Sequence, residues 1–162
     1  MASCTFNPGI NSVNPYAVLT VTETSWDIAT NSSVVSWELA IERPSKVQST
    51  APKDYTVVLD GVTVSSGITY IGGTGKKVIA SGTKTIYHDS EGSKTITFSF
   101  TLDFDFTWGG VWVSLASASG SAKLTDIPKA STFKVSSTSA DMGAAVTFTI
   151  TRGATSLTHK LT

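Results

Sequence analysis

The chain is poor in charge, in cysteine and in histidine. Its 162 residues include twelve Lys or Arg and twelve Asp or Glu, so the formal net charge at pH 7 is zero. Most nucleic-acid affinity comes from cations that neutralise phosphates, and a chain with no basic cluster is therefore not expected to bind nucleic acid. Because Cys4 is alone and only two histidines are present, neither an internal disulfide, nor a metal site, nor another cofactor is expected.

Long apolar runs are missing as well. No stretch approaches the roughly 20 apolar residues that a membrane helix needs, so a membrane partner is not expected. Residues 1–25 contain no Lys or Arg and no extended apolar run, the two parts of a secretory signal. The sequence predicts a product made in the cytoplasm without a signal peptide.

Hydroxyl groups take the place of the missing ions. Ser and Thr supply 48 residues, and hydrophobic residues supply 40% of the chain, which is enough to bury a core. A surface of this kind is typical of extracellular adhesion domains. It contrasts with the missing secretory signal, and any function has to account for both.

Apolar residues recur at every second position, which is typical of β-strands. The longest row places seven apolar side chains on one face: Ile96, Phe98, Phe100, Leu102, Phe104, Phe106 and Trp108. A single ribbon cannot be stable by itself, so a second apolar layer is required. Its candidates are Leu19, Val21, Val35, Trp37, Leu39, Ile41, Val111, Val113 and Leu115. The sequence predicts an all-β fold, an antiparallel, jelly-roll-like β-sandwich, with Trp26, Trp37 and Trp108 in packing roles.

Two turns are predicted from their residues. The pair Asp60-Gly61 can adopt the two positive φ angles of a type I′ turn, so it predicts a hairpin between the flanking alternating segments. The residues 89–92, Asp-Ser-Glu-Gly, predict a four-residue hairpin loop that ends at Gly92.

The alternating pattern stops near residue 125, where Pro128 disfavours a strand. We predict a β-sandwich domain over residues 1–125, a linker over 126–131, and the start of a second β domain over 132–162, which we expect to be truncated. An alternative is that the short strands after the linker pair with another chain.

The candidate binding residues are Trp112, Asp103 and Asp105. Since Val111 and Val113 are assigned to the core, alternation leaves the Trp112 indole on the polar face near the two aspartates. An exposed aromatic ring beside carboxylates can hold a sugar, because the ring stacks on CH groups and the acids accept hydroxyl protons. The competing interpretation is that a loop or a neighbouring subunit covers the indole.

Catalysis has weaker support in the sequence. Asp103 and Asp105 would lie roughly 6–7 Å apart on one strand face, a spacing seen in glycosidases, but alternation alone also places acids on a wet face. His88 stands next to Asp89, yet no nucleophile motif surrounds any serine, so His88 is interpreted as a strand-end residue. No catalytic residue is assigned.

Residues 80–96, with the strand that follows them, resemble a signature of siphophage tail and baseplate structural proteins from Gram-positive hosts. Residues 124–131 resemble the connector of that family between a β-sandwich and an Ig-like second domain. Residues 145–152 and 157–161 resemble the first strands of that second domain. The resemblance covers the chain from residue 80 onward.

The resemblance implies a virion component of the phage tail that belongs to the host-attachment apparatus, with other tail proteins as partners. It implies no catalytic residues. A tail protein is made in the host cytoplasm and then acts outside the cell, which accounts for both the missing signal and the hydroxyl-rich surface.

The resulting hypothesis is a noncatalytic structural or adhesion module with host cell-wall polysaccharide as its candidate ligand. One alternative is a cell-wall-active glycoside hydrolase or its carbohydrate-binding accessory domain. Another is an assembly protein that forms a homo-oligomer through its edge strands.

Overall fold

The computed structural model describes residues 1–7, 15–108, 111–129, 132–135 and 147–151. These residues form the strands β1 Ala2–Phe6, β2 Tyr16–Asp27, β3 Ser32–Glu42, β4 Pro52–Leu59, β5 Val62–Tyr70, β6 Lys77–Tyr87, β7 Thr95–Trp108, β8 Val111–Lys123, β9 Thr132–Val135 and β10 Phe148–Thr151. Within this part of the chain we find no helix with the length and apolar character needed to cross a bilayer.

Eight of the strands form two four-stranded sheets. The first sheet has the order β1-β2-β3-β6 and the second has the order β5-β4-β7-β8, with antiparallel neighbours throughout. The two sheets pack their apolar faces against each other, and β1 also contacts β8. The predicted all-β antiparallel sandwich is confirmed, and its strand number is that of a jelly roll.

The core lies where the alternating pattern places it on β2, β3 and β7. The prediction that Val111, Val113 and Leu115 belong to the second layer is wrong, because β8 lies beside β7 in the same sheet. From the second sheet, Ile96, Phe98, Phe100, Leu102 and Phe104 are buried. From the first sheet, the predicted second layer is buried at Leu19, Val21, Val35, Trp37, Leu39 and Ile41. The side chains of Phe106, Trp108 and Val111 lie outside the described part of the structure.

The Asp60-Gly61 turn is confirmed. It joins β4 to β5 with Leu59 directly opposite Val62, and both turn residues have positive φ angles, 50° for Asp60 and 73° for Gly61. These angles are those of a type I′ turn, which matches the twist of the paired strands.

The predicted hairpin at residues 89–92 is wrong, although its turn chemistry is right. Asp89 Oδ1 accepts hydrogen bonds from the Glu91 and Ser93 amides, and Gly92 has a φ of 77°. However, β6 pairs with β3 in the first sheet, whereas β7 lies between β4 and β8 in the second. The loop therefore crosses between sheets, because both edges of β7 are already occupied.

Trp26 does not have the packing role that was predicted. A bulge between Glu23 and Ser25 shifts the register of β2 against β3, and the strand beyond it extends past the core. As a result, the Trp26 side chain is 44% exposed.

Two other crossovers meet at one end of the sandwich. Residues 43–51 join β3 to β4, and residues 71–76 join β5 to β6. The amides and carbonyls of Val47 and Gly73 pair with each other at 2.8 and 2.9 Å. The crossovers are thus held together by backbone hydrogen bonds.

The buried side chain of Arg43 also stabilises this junction. Its Nε is 2.8 Å from the Gly75 carbonyl, its Nη2 is 3.0 Å from that of Thr74 and its Nη1 is 3.3 Å from that of Ile71. Nη1 also donates to the carbonyl of Gly72. One guanidinium therefore fixes the course of the 71–76 crossover.

Beyond the sandwich, β9 and β10 form a two-stranded antiparallel sheet with Phe148 opposite Val135. The predicted boundaries at residues 125 and 131 and the Ig-like second domain stay predictions. The strand expected at residues 157–161 lies outside the described residues.

Candidate functional site

The hairpin of β7 and β8 carries the three predicted binding residues. Trp112 lies directly opposite Thr107, and its side chain is 61% exposed. The indole is therefore on the outer face of the second sheet within the described chain, as alternation predicted.

A bulge interrupts this hairpin. Asp103 lies opposite Leu115 and Phe106 lies opposite Val113, so two residues of β7 face the single residue Ser114. The bulge changes the side-chain phase of β8. Leu115, predicted to be in the core, is 46% exposed, and Ala116 takes the buried position while Val113 stays buried.

The two aspartates have different surroundings. Asp105 lies in the bulge with a φ of 45°, and its carboxylate is 3.5 Å from the ammonium of Lys53, whose side chain is only 5% exposed. Asp103 is partly exposed opposite Leu115, three residues from Trp112, or about 10 Å along β8. The structure places Asp103 and Trp112 on one hairpin but does not gather all three residues into a compact cluster.

Rows of hydroxyl groups cover the same outer face. One row crosses all four strands through directly opposed residues: Ser66, Thr56, Thr101 and Ser117. The next row has hydroxyl groups at Thr63, Ser99 and Ser119 and is interrupted by Val58 on β4. Adjacent members of a row are about 5 Å apart, and Ser and Thr hydroxyls both donate and accept hydrogen bonds. The face can thus form many neutral hydrogen bonds to a polyhydroxylated ligand.

His88 takes part in a hydrogen-bond chain at one end of the sandwich. Its Nδ1 is 2.9 Å from the Gly92 carbonyl, its Nε2 is 2.8 Å from Ser33 Oγ, and Ser33 Oγ donates to Glu23 Oε1 at 2.6 Å. Because Ser33 is fully buried, its hydroxyl is not presented to a substrate. This geometry supports the interpretation of His88 as a structural residue.

Glu23 links this chain to the segment after β8. Its Oε2 accepts hydrogen bonds from the amide and the hydroxyl of Thr125, at 2.9 and 2.8 Å. Partial burial acts to raise the pKa of Glu23, but the hydrogen bonds from Ser33 and Thr125 and the electrostatic effect of His88 outweigh it. The net result is a pKa below the usual value, so folding stabilises the ionised carboxylate.

We expect Glu23→Gln to lower the free energy of unfolding by about 1 kcal/mol at pH 7. A lowered folded-state pKa stabilises the protein above the unfolded-state value, and that stabilisation is lost as the pH falls through the folded-state value. The difference in the free energy of unfolding between wild type and variant, measured by urea unfolding, should therefore become smaller below about pH 4.5. If Glu23→Gln lowered the free energy of unfolding equally at pH 7 and pH 3, this assignment would be contradicted. Glu91→Gln is the control, because the Glu91 carboxylate is 74% exposed.

Two of the segments that carry the family resemblance, residues 80–96 and 124–131, contact each other. The Leu124 amide donates to the Lys94 carbonyl at 2.9 Å, and the Ile127 amide donates to the Gly92 carbonyl at 2.8 Å. A Cβ atom on Gly92 would lie 2.0 Å from the Ile127 carbonyl oxygen, so only glycine fits there. Residues 124–129 are therefore docked on the loop that joins β6 to β7, which the sequence did not predict.

A comparison with protein families matches residues 8–162 to the family described as "Siphovirus protein of unknown function (DUF859)". No curated protein matches the chain. The match spans both the sandwich and the residues that follow it, and it agrees with the siphophage resemblance found in the sequence. The chain belongs to this siphovirus protein family and is a virion-associated phage protein.

Proposed function

We propose that this protein is a noncatalytic structural and adhesion module of the phage tail that binds saccharide on the host surface. The observation that carries the proposal is the indole of Trp112, 61% exposed beside a face covered by hydroxyl rows. An exposed indole offers a flat apolar surface, and the CH face of a sugar ring is a suitable partner for it.

The surroundings of Trp112 suit a neutral or weakly charged glycan. The ring can stack on the CH face of one sugar unit. Asp103 can accept a hydroxyl proton, and the Ser and Thr rows, which begin at Ser117 about 17 Å along β8, can exchange hydrogen bonds with further units of the same glycan. Asp105 is engaged by Lys53, which supports a structural role for its carboxylate. Binding needs only the Asp103 carboxylate, so it does not depend on that of Asp105.

Trp112→Ala is expected to weaken binding to purified host-wall polysaccharide by about tenfold or more, because buried aromatic anchors dominate binding energy. A pull-down with wall fractions and a titration with solubilised polysaccharide would measure the loss. Trp26→Ala is the matched control, since Trp26 is 44% exposed on the other sheet. Unfolding curves of both variants should stay close to that of the wild type.

Equal binding by wild type and Trp112→Ala would refute the role of this face. Release of reducing sugar from the wall, abolished by Asp103→Asn, would instead support the hydrolase alternative. In that case Asp103 would be a catalytic acid.

A second candidate function is assembly without a glycan ligand. The terminal strands β5 and β6 carry large hydrophobic side chains that are at least 45% exposed: Val62, Ile68, Tyr70, Val78 and Tyr87. Apolar residues on terminal strands favour contact with another chain. This candidate would take precedence if the wild type bound no wall fraction and sedimented as an oligomer.

A further inference from the structure

The junction of the two crossovers forms an open cleft at the end of the sandwich where β7 ends and β8 begins, because Tyr70 at the cleft pairs with Pro52 and the neighbouring Lys53 contacts Asp105. The cleft has a volume of about 790 Å³ and is lined by both crossovers and the adjoining ends of β5 and β6. This volume lies in the range of small-molecule sites in proteins. Its walls are set by the Val47 and Gly73 backbone pair and by Arg43.

Positive charge dominates the lining. Its polar side chains are Lys46, Gln48, Ser49, Thr50, Tyr70 and Lys77, with no carboxylate among the described residues that line it. The ammonium of Lys77 donates to the Tyr70 carbonyl, which holds that cation at the edge of the cleft. A concave surface with cations of one sign concentrates the electric field and attracts anions.

Arg43 adds a third cation behind the cleft. Its guanidinium bonds to the carbonyls of Gly72 and Thr74, and Gly72 itself lines the cleft. A Cβ atom on Gly73 would lie 3.0 Å from Arg43 Nη1, so the guanidinium sits directly beneath this part of the wall. Carbonyl groups orient the guanidinium but do not cancel its charge.

Tyr70 supplies an aromatic surface beside the cations. Its side chain is 56% exposed at the end of β5, next to the hydroxyl groups of Ser49 and Thr50. An open aromatic ring can stack on the CH face of a sugar or polyol, while the hydroxyl and amide groups pair with its oxygens. The combination of cations, ring and hydroxyls fits a sugar unit that carries an anionic group.

We propose that this cleft binds an anionic saccharide or polyol unit, with Lys46 and Lys77 facing its phosphate or carboxylate and Tyr70 stacking on its carbon skeleton. Trp112 does not line the cleft, so the proposal does not rest on saccharide binding by that indole. The cleft would bind anionic saccharides through its positive charge, whereas the hydroxyl rows are neutral and do not favour anionic ligands.

Isothermal titration of the full chain with three polymers tests the proposal. A glycerol-phosphate polymer supplies phosphodiesters, a uronic acid polymer supplies carboxylates, and dextran is neutral. We expect binding to at least one polyanion, with affinity that falls as salt rises from about 50 to 500 mM, and no binding of dextran by Trp112→Ala, which lacks the indole proposed to hold neutral sugars. The polyanion that binds more tightly identifies the natural anionic group.

Three variants localise the binding. Lys46→Gln and Tyr70→Ala should each weaken polyanion binding by about tenfold, and combining Lys46→Gln with Lys77→Gln should abolish it. Lys123→Gln, at an ammonium that is 60% exposed near residue 126, is the matched control and should bind as the wild type does. Urea unfolding of each variant checks that the fold is intact.

Equal affinity of Trp112→Ala for dextran and for the polyanions, or wild-type polyanion binding by both Lys46→Gln and Tyr70→Ala, would overturn the proposal. An equal loss in Lys123→Gln would do the same, because it would show that only the total charge matters. Trp112→Ala should leave binding to the polyanions unchanged, so failure of this site and failure of the Trp112 face give different results.

Discussion

Phe100→Ala is expected to lower the free energy of unfolding by about 3–5 kcal/mol, the cost of removing a buried aromatic ring and leaving a cavity. Phe100 is 2% exposed in the middle of β7, directly opposite Val57 on one side and Ala118 on the other. Because β7 pairs with two strands, its neighbours cannot easily move to fill the space. Urea unfolding followed by tryptophan fluorescence would measure the change.

Thr101→Ala is the matched control for Phe100→Ala. The Thr101 side chain is exposed on the opposite face of the same strand, so its truncation should change the free energy of unfolding by about 0.5 kcal/mol or less. Similar effects at both positions would mean that β7 has no distinct inner and outer face. The sandwich described above would then be wrong.

The contrast between Phe100 and Thr101 is the part of the fold that the sequence predicts well. A period of two assigns each side chain of β7 to a face without knowledge of its partners. The hairpin at Asp60-Gly61 was equally predictable, because the turn residues require positive φ angles and strands of suitable length flank them.

Strand pairing beyond adjacent segments was not predictable from local residues. The turn made by Asp89 and Gly92 has the same hydrogen bonds whether the chain returns along the same sheet or crosses to the other. The outcome depends on β4 and β8, which occupy the two edges of β7. One edge is filled by β8, the next strand in the sequence, and the other by β4, which is separated from β7 by residues 60–94.

Bulges limited the prediction of exposed residues in a similar way. One unmatched residue in the β7 and β8 hairpin moves Leu115 from the predicted core to the surface. Asp105 adopts a positive φ in this bulge, but an aspartate in the sequence does not by itself predict a bulge, since aspartate also occurs at the ends of regular strands. Trp112 was placed correctly because it precedes the phase change along β8.

The crossover cleft was missed for a different reason. Arg43, which organises it, has backbone carbonyls as its hydrogen-bond partners, and these groups have no signature in a sequence. Lys46 and Tyr70 are separated by 24 positions and come together only because the crossovers pair. An isolated arginine before Pro44 gives no indication of this arrangement.

Arg43→Leu is expected to lower the free energy of unfolding by about 3 kcal/mol and to open the crossover junction. Hydrogen bonds from a charged group contribute about 1.5–3 kcal/mol each. In the variant, water can form hydrogen bonds with some of the freed carbonyl groups, because the loop is partly exposed, and this reduces the loss. Arg43→Lys should recover only a fraction of the loss, since one ammonium cannot reach the separate carbonyls that the guanidinium spans. Lys76→Gln removes a solvent-exposed ion pair with Glu38, so it should leave the free energy of unfolding nearly unchanged and serves as the control.

Hydrogen exchange separates a local opening from general destabilisation in the Arg43 variants. The amides of Val47, Gly73 and Gly75 donate across the junction and should exchange much faster in Arg43→Leu, whereas amides in the centre of β3 and β7 should follow the global change only. Unchanged protection at the junction amides would show that the backbone pairing does not need the guanidinium. Since the same junction forms the cleft wall, Arg43→Leu should also abolish polyanion binding, whereas Phe100→Ala, studied under conditions where it remains folded, should not.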